Sequence, residues 1–369
     1  MSTVSSIGLP ELIAGIMVLG LNAYVLTGGA DFGGGVWDLL AGGPRREAQR
    51  ALIAHEIGPI WEANHVWLIL VVVILFTAFP PAFATLGTVL HIPLTLMLVG
   101  IVLRGTSFVF RSYGARDDAS QRRWGRVFAV ASIVTPVLFG VIVGALASGA
   151  VGAAAERLPP SGSAGAGTAP PAFAAIFVAP WLAPFPLMMG ALALAMFAFL
   201  AAVYLGVAAR DAALRDDFRR RALAAAAAMF VAAFGGLAAA HLHAPHVSSR
   251  LTGGAAPAFQ VATAIAAVTA IGALWTRRWS VARIAAATQV SLILWGWVIV
   301  QYPFVVPPTQ TLRAAAAPRI TLLLLLYGLA GGGAILFPAL AYLFRTFTAA
   351  GGRSSSPATP RVSGSDERR

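Results

Sequence analysis

Apolar residues run along this chain in long uncharged blocks, separated by short connections that carry most of its charge. Nine such blocks stand out, at 9–29, 59–79, 85–105, 127–150, 173–207, 222–242, 257–275, 284–301 and 319–344. About 18 to 20 apolar residues suffice for a helix to cross a hydrocarbon core of about 30 Å. Inside that core a helix satisfies its own backbone, and blocks of this length far exceed barrel strands. The pattern therefore predicts an all-α polytopic membrane protein with nine transmembrane helices. The fifth and ninth windows exceed a straight crossing, which implies tilt or interfacial turns. Pro180, Pro184 and Pro186 place the start of the fifth span well inside its window.

The expected arrangement is two four-helix bundles and one peripheral helix. Residues 1–150 form the first bundle, and 173–345 form the second with the peripheral helix. Between them, 151–172 is rich in Ala, Gly, Ser and Pro and reads as a flexible connection. Residues 346–369, with Ser354 to Ser356 and two prolines, read as a disordered tail.

Composition reinforces this picture. The chain is 58% hydrophobic and 11% charged, against about 25% charged in an ordinary soluble domain. It holds no cysteine, which excludes disulfides, thiolate-bound iron–sulfur clusters and cysteine nucleophiles. The N-terminus lacks a basic region and its first apolar block outruns a signal-peptide core, so no cleavable signal peptide is expected. All 26 basic residues are arginine. Of these, 22 fall in the connections after spans one, three, five and seven and in the C-terminal tail, whereas Arg157, Arg250, Arg313 and Arg319 fall on the other side. Alternation of this kind is the positive-inside pattern, with the N-terminus outside and the C-terminus in the cytoplasm. It explains the net charge of +12 without nucleic acid. No connection is long enough for a soluble catalytic domain, so chemistry belongs inside the bundle or in a partner.

Polar groups within spans are costly and mark candidate function. The densest set begins at Thr27-Gly-Gly-Ala-Asp31-Phe-Gly-Gly-Gly-Val-Trp-Asp38. Glycines 28, 29, 33, 34 and 35 allow positive φ and close helix approach. Asp31 reads either as an interfacial acid capping a helix start or as a proton-relay or ligand group. The second set is Trp61-Glu62-Ala-Asn64-His65-Val-Trp67, just after Pro59 and Glu56. Glu62 and His65 share a helical face at i,i+3, and Trp61 and His65 at i,i+4. A carboxylate at this depth suits proton transfer. An interfacial belt accounts well for Trp61 and Trp67 and poorly for Glu62. His65 invites haem ligation, although a lone helical imidazole is more often a hydrogen-bonding residue. His91 invites the same caution, and His241, His243 and His246 read as a solvated loop or a metal cluster. Arg104 is a counter-ion for Asp31 or Glu62, or a residue that snorkels to lipid phosphate.

These elements (GGADFGGGVWDLL, PIWEANHVWLI, LFTAFPPAF, LRGTSFVFR and QYPFVVPP) resemble, in order and spacing, subunit II of cytochrome bd-type quinol oxidases. The resemblance spans essentially the whole chain and is strongest over residues 20–115. The variant looks like the cyanide-insensitive branch, where the acid at 62 is often Glu. It implies a heterodimer with a haem-bearing subunit I that carries haems b and d and the quinol site, with or without a small accessory membrane subunit. It implies that this chain holds no haem, and it is compatible with a structural quinone or lipid here. The implied complex sits in the bacterial inner membrane, oxidises quinol and reduces dioxygen to water, taking protons from the cytoplasm without pumping. By position, Glu62 and Asp31 would belong to the proton path and Trp67 to an oxygen access route. Trp61, Asn64, His65 and Arg104 would shape and polarise the same region. Many members carry Asp where this chain has Gly28, so Asp31 would act alone or with Glu62. A secondary transporter with buried acids is the alternative, disfavoured by the lack of matched interrupted spans.

Overall fold

The computed structural model describes residues 8–57, 61–113, 118–158 and 172–351. Its helices are α1 (Leu9–Leu39), α2 (Arg46–Ile57), α3 (Trp61–Ala78), α4 (Pro80–Val89), α5 (His91–Tyr113), α6 (Asp118–Ala147) and α7 (Ala150–Ala155). They continue with α8 (Phe173–Phe177), α9 (Pro184–Ala208), α10 (Ala212–His243), α11 (Pro245–Leu251), α12 (Ala256–Trp275), α13 (Trp279–Gln301) and α14 (Arg319–Gly351). A short antiparallel pair, β1 (Phe304–Val306) and β2 (Gln310–Thr311), is the one departure from helix among the described residues. Among the described residues eight helices are long and apolar enough to cross a membrane, and a ninth crossing follows if α3 and α4 count as one bent span.

Two boundaries differ from the sequence pattern for a local reason, and a third falls where its prolines predict. The third span starts at His91 rather than near 85, because residues 80–89 form α4, bent by 116° from α3. Pro80 and Pro81 lack backbone donors and clash with the preceding turn, so α3 cannot run through them. The first span continues to Leu39, ten residues past its expected end, and keeps its glycines in helical geometry. Positive φ is therefore not their use here. The fifth span begins at Pro184, where proline fits the first helical turn, and Phe173–Phe177 stands apart as α8. Of the expected connection 151–172, residues up to 155 belong to α7 and 159–171 lie outside the described residues, as does the tail beyond 351.

The helix α9 organises residues 8–322. Its sequence, PFPLMMGALALAMFAFLAAVYLGVA, holds no charge and is apolar all round, the signature of an enclosed helix. It packs against α1 and α6, and also against α10 and α13. Between bilayer helices there is little hydrophobic drive, so close backbone contact supplies much of the cohesion. Small residues provide it. A Cβ on Gly33 would lie 2.0 Å from the Phe197 carbonyl oxygen of α9, and one on Gly140 of α6 would lie 2.2 Å from the Met189 carbonyl oxygen. The β1–β2 turn is tied back by Gln310 Nε2, which donates to Thr85 Oγ1 at 2.8 Å, and by an Arg313–Glu11 ion pair at 2.6 Å. From Leu323 onward the chain forms a second compact unit, in which Leu324, Tyr327, Ile335 and Phe337 of α14 are exposed.

Packing of this kind separates two glycines sharply. Gly33→Ala should lower the stability of the purified chain by about 1–3 kcal/mol, the usual cost of overpacking. Gly272→Ala in α12, where an added Cβ meets nothing within 4 Å, should be neutral or stabilising by up to about 1 kcal/mol through helix propensity. Thermal unfolding in detergent measures both; equal effects would refute the close-contact account.

Candidate functional site

Asp31 lies in the middle of α1, not at a helix start, so it caps nothing. It is buried, at 8% exposure. From α3, Asn64 Nδ2 donates to Asp31 Oδ2 at 2.5 Å. From α5, Arg104 Nη2 donates to the Asp31 backbone carbonyl at 2.8 Å. Arg104 is 2% exposed and does not snorkel. Its guanidinium lies 4.6 Å above the Phe32 ring and 5.3 Å from that of Phe128 in α6. Two aromatic faces, a carbonyl and a nearby carboxylate thus replace the water around this cation.

Above this pair, towards the start of α1, the site turns aromatic. Tyr24 is fully buried and stacks on Phe139 with centroids 5.5 Å apart. His65 meets Tyr24 edge-on at 6.1 Å and Phe32 at 6.5 Å. A Cβ at Gly28 would come within 2.9 Å of the Tyr24 ring, so that ring fills the space a side chain at 28 would take. The hydroxyls of Tyr24, Ser132 and Thr135 have no hydrogen-bond partner among the described residues. Ser132 Oγ lies where a Cβ on Gly35 would be, one turn beyond Asp31, and Thr135 Oγ1 likewise faces Gly100, one turn before Arg104. Two buried hydroxyls of α6 therefore border the carboxylate–guanidinium pair.

Below the pair, the pattern repeats. Asp38 stands seven residues after Asp31, and Arg111 seven after Arg104. Arg111 Nη1 donates to Asp38 Oδ2 at 2.8 Å, and Arg50 Nε approaches Oδ1 at 3.7 Å. A second cluster joins α2 to α10: Arg45 grips Asp217 through two bonds of 2.7 and 2.6 Å, and Gln49 Nε2 donates to the same carboxylate at 2.9 Å. Arg221 Nη2 donates to Gln49 Oε1 at 2.6 Å. The sequence reading gave Asp38, Arg111, Gln49 and Asp217 no role. Only the matched seven-residue spacings on α1 and α5 could have signalled the first two.

The structure thus brings Asp31, Asn64, His65 and Arg104 to one place. Trp67 is partly buried and packs against the main core. Trp61 and Glu62 begin α3, but their side chains lie outside the described residues. The histidines do not converge: His91 Nδ1 sits 2.9 Å from the Thr88 carbonyl, and His246 Nε2 3.1 Å from that of Ala147. Among the described residues no three His, Cys, Asp or Glu side chains could share a metal.

This geometry makes two substitutions diagnostic. Arg104→Met should cost about 3 kcal/mol, because it leaves a buried carboxylate without its cation. Tyr24→Phe should stay within about 0.5 kcal/mol, since the lost hydroxyl has no protein partner. Chemical denaturation of the purified chain tests both, and a loss under about 1 kcal/mol for Arg104→Met would mean that the guanidinium does not hold this site together.

Comparison with known proteins places these residues in context. The family model described as cytochrome bd terminal oxidase subunit II matches residues 9–347. Cytochrome bd ubiquinol oxidase subunit 2 of Bacillus subtilis (strain 168) is 34% identical over 128 residues, which cover 34% of this chain and 36% of that protein. Cytochrome bd-I ubiquinol oxidase subunit 2 of Escherichia coli (strain K12) is 28% identical over 138 residues, covering 37% and 35% respectively. The alignments therefore span about one third of these relatives' length. The structure of bd oxidase from Geobacillus thermodenitrificans contains a chain with the same fold, at a TM-score of 0.72 and 19% identity over 92% of this chain and 98% of that one.

Proposed function

The chain belongs to the cytochrome bd terminal oxidase subunit II family, and from that premise we propose that it serves a quinol oxidase as the subunit that supplies proton and oxygen access. The transporter alternative falls with the family assignment. In this reading the chain pairs with a haem-bearing subunit I and sits in a bacterial inner membrane, its N-terminus periplasmic and its C-terminus cytoplasmic. The haems and the quinol site lie on that partner. Supporting this, the imidazole of His65 is boxed edge-on by Tyr24 and Phe32, and the remaining histidines are scattered.

Reduction of dioxygen to two waters takes four electrons and four protons. Quinol supplies the electrons through the partner, so the protons must cross part of an apolar bundle. The observation that carries the reading is the buried Asp31 carboxylate, held by Asn64 and flanked by Arg104. A carboxylate there can take up and release a proton while its neighbours stay fixed. Arg104 sets a positive charge beside the carboxylate. Asn64 orients Oδ2, leaving Oδ1 for the incoming proton. Asp38, with Arg111 and Arg50, forms the arginine-rich cytoplasmic end of the same face of α1. Glu62 belongs to the same path through its place at the head of α3. Trp67, packed against the main core from the same helix as Asn64, borders the oxygen route.

In the assembled complex, Asp31→Asn should lower oxygen consumption at least tenfold, about 1.4 kcal/mol on the barrier, with the haem absorbance spectrum unchanged. Glu62→Gln should act in the same direction. Glu47→Gln on the exposed face of α2 serves as control. Full turnover in Asp31→Asn would remove this residue from the path.

A further inference from the structure

A groove of about 770 Å³ runs along α13, outside the site described above. Its walls come from the end of α2, the last turns of α9, the first turn of α12 and the length of α13. One end carries Arg283, Glu56 and Tyr204. The other is lined by Leu292, Trp295 and Phe259, with Ile284 and Ala287 between. From Arg283 to Trp295 is twelve residues, about 18 Å of helix, which is comparable to a membrane leaflet and long enough for most of an acyl chain. The spans α9, α12 and α13 that border it are among those able to cross a bilayer. What lies against such a groove in place is lipid.

The polar end narrows the choice. Arg283 and Glu56 carry opposite charges, yet neither forms an ion pair with the other or with any described residue. Both are exposed. A cation and an anion without an ion pair among the described residues, at the head of one groove, complement a headgroup that bears both charges. Arg283 suits a phosphodiester, since a guanidinium presents a fork of donors to phosphate oxygens. Glu56 suits an ammonium that can donate hydrogen bonds. Tyr204, half-buried beside Arg283, offers a phenol donor to the same phosphate. We propose that this groove is a binding site for a phospholipid with a phosphate and a primary ammonium in its headgroup, that is, phosphatidylethanolamine. The phosphate lies on Arg283, the ammonium on Glu56, and one acyl chain lies along Ile284, Leu292 and Trp295. An anionic lipid such as phosphatidylglycerol would bring its phosphate to Arg283 but leave Glu56 facing no cation.

The test is native mass spectrometry of the full chain, and of the complex with its partner, purified in mild detergent, stripped of lipid and offered equimolar phosphatidylethanolamine and phosphatidylglycerol in mixed micelles. Wild type should retain one phosphatidylethanolamine with at least tenfold preference. Arg283→Ala should lose at least tenfold of the retention of either lipid. Glu56→Gln should keep binding but bring the preference close to one. Both sites are exposed, and unchanged thermal unfolding of each variant confirms that the fold is intact. Equal retention of the two lipids by wild type would overturn the proposal, as would retention insensitive to Arg283→Ala. It would equally fall if a co-purified quinone held the groove, or if lipid were lost on assembly because the partner covers it. Lipid retention is read without turnover, so it stands or falls separately from the oxidase reading.

Discussion

A guanidinium and a carboxylate held out of water among four helices form the constraint on which the rest of this structure turns. Transfer of an isolated ion into an apolar interior costs tens of kcal/mol in the idealised limit. Asp31 and Arg104 are tolerable only because each contact around them is in place. The Asn64 amide meets the carboxylate, the Asp31 carbonyl accepts from the guanidinium, and Phe32 and Phe128 cover its faces. These groups come from α1, α3, α5 and α6. The charged pair therefore fixes how four helices stand relative to one another, and any loosening would expose a charge to hydrocarbon.

Such precision needs backbones that come close. Glycine costs about 1 kcal/mol in a helix relative to alanine, and α1 carries five between residues 28 and 35. At Gly33 the return is contact with the backbone of α9, and at Gly35 it is room for the Ser132 hydroxyl. The uncharged α9 serves as the wall against which α1 and α6 are pressed, with α3 packed in turn on α1 and α5 on α6.

The membrane class was legible in block length alone, because the bilayer imposes a length on every crossing; the count of nine is reached only if α3 and α4 form one bent span beside the eight unbroken ones. Asp31 and Arg104 were also legible, since a charge at the edge of an apolar block is conspicuous in any sequence. Their partnerships were less so. Asp31 and Asn64 are 33 residues apart, and Gln49 and Asp217 are 168 apart; only tertiary packing brings such pairs together. The extension of α1 to Leu39 escaped notice because a glycine-rich stretch reads locally as a helix end, and the burden of keeping it helical falls on contacts with α9. The sharp turn at Pro80 was written in the sequence, in two adjacent prolines, but its angle was not. Asp38 and Arg111 follow Asp31 and Arg104 by seven residues each, a repeat present in the sequence of both helices.

That repeat has an electrical consequence. Asp31 lies seven residues inward from Asp38 along α1, about 10 Å at helical rise, which is about one third of a 30 Å hydrocarbon core. A charge crossing the full membrane exchanges about 2.3 kcal/mol per 100 mV. A proton that travels from the level of Asp38 to that of Asp31 therefore crosses about one third of that drop, ~0.8 kcal/mol per 100 mV if the field is uniform. On the proposed proton path the occupancy of Asp31 would depend on voltage, the position of one carboxylate on one helix setting how strongly the membrane potential weighs on it.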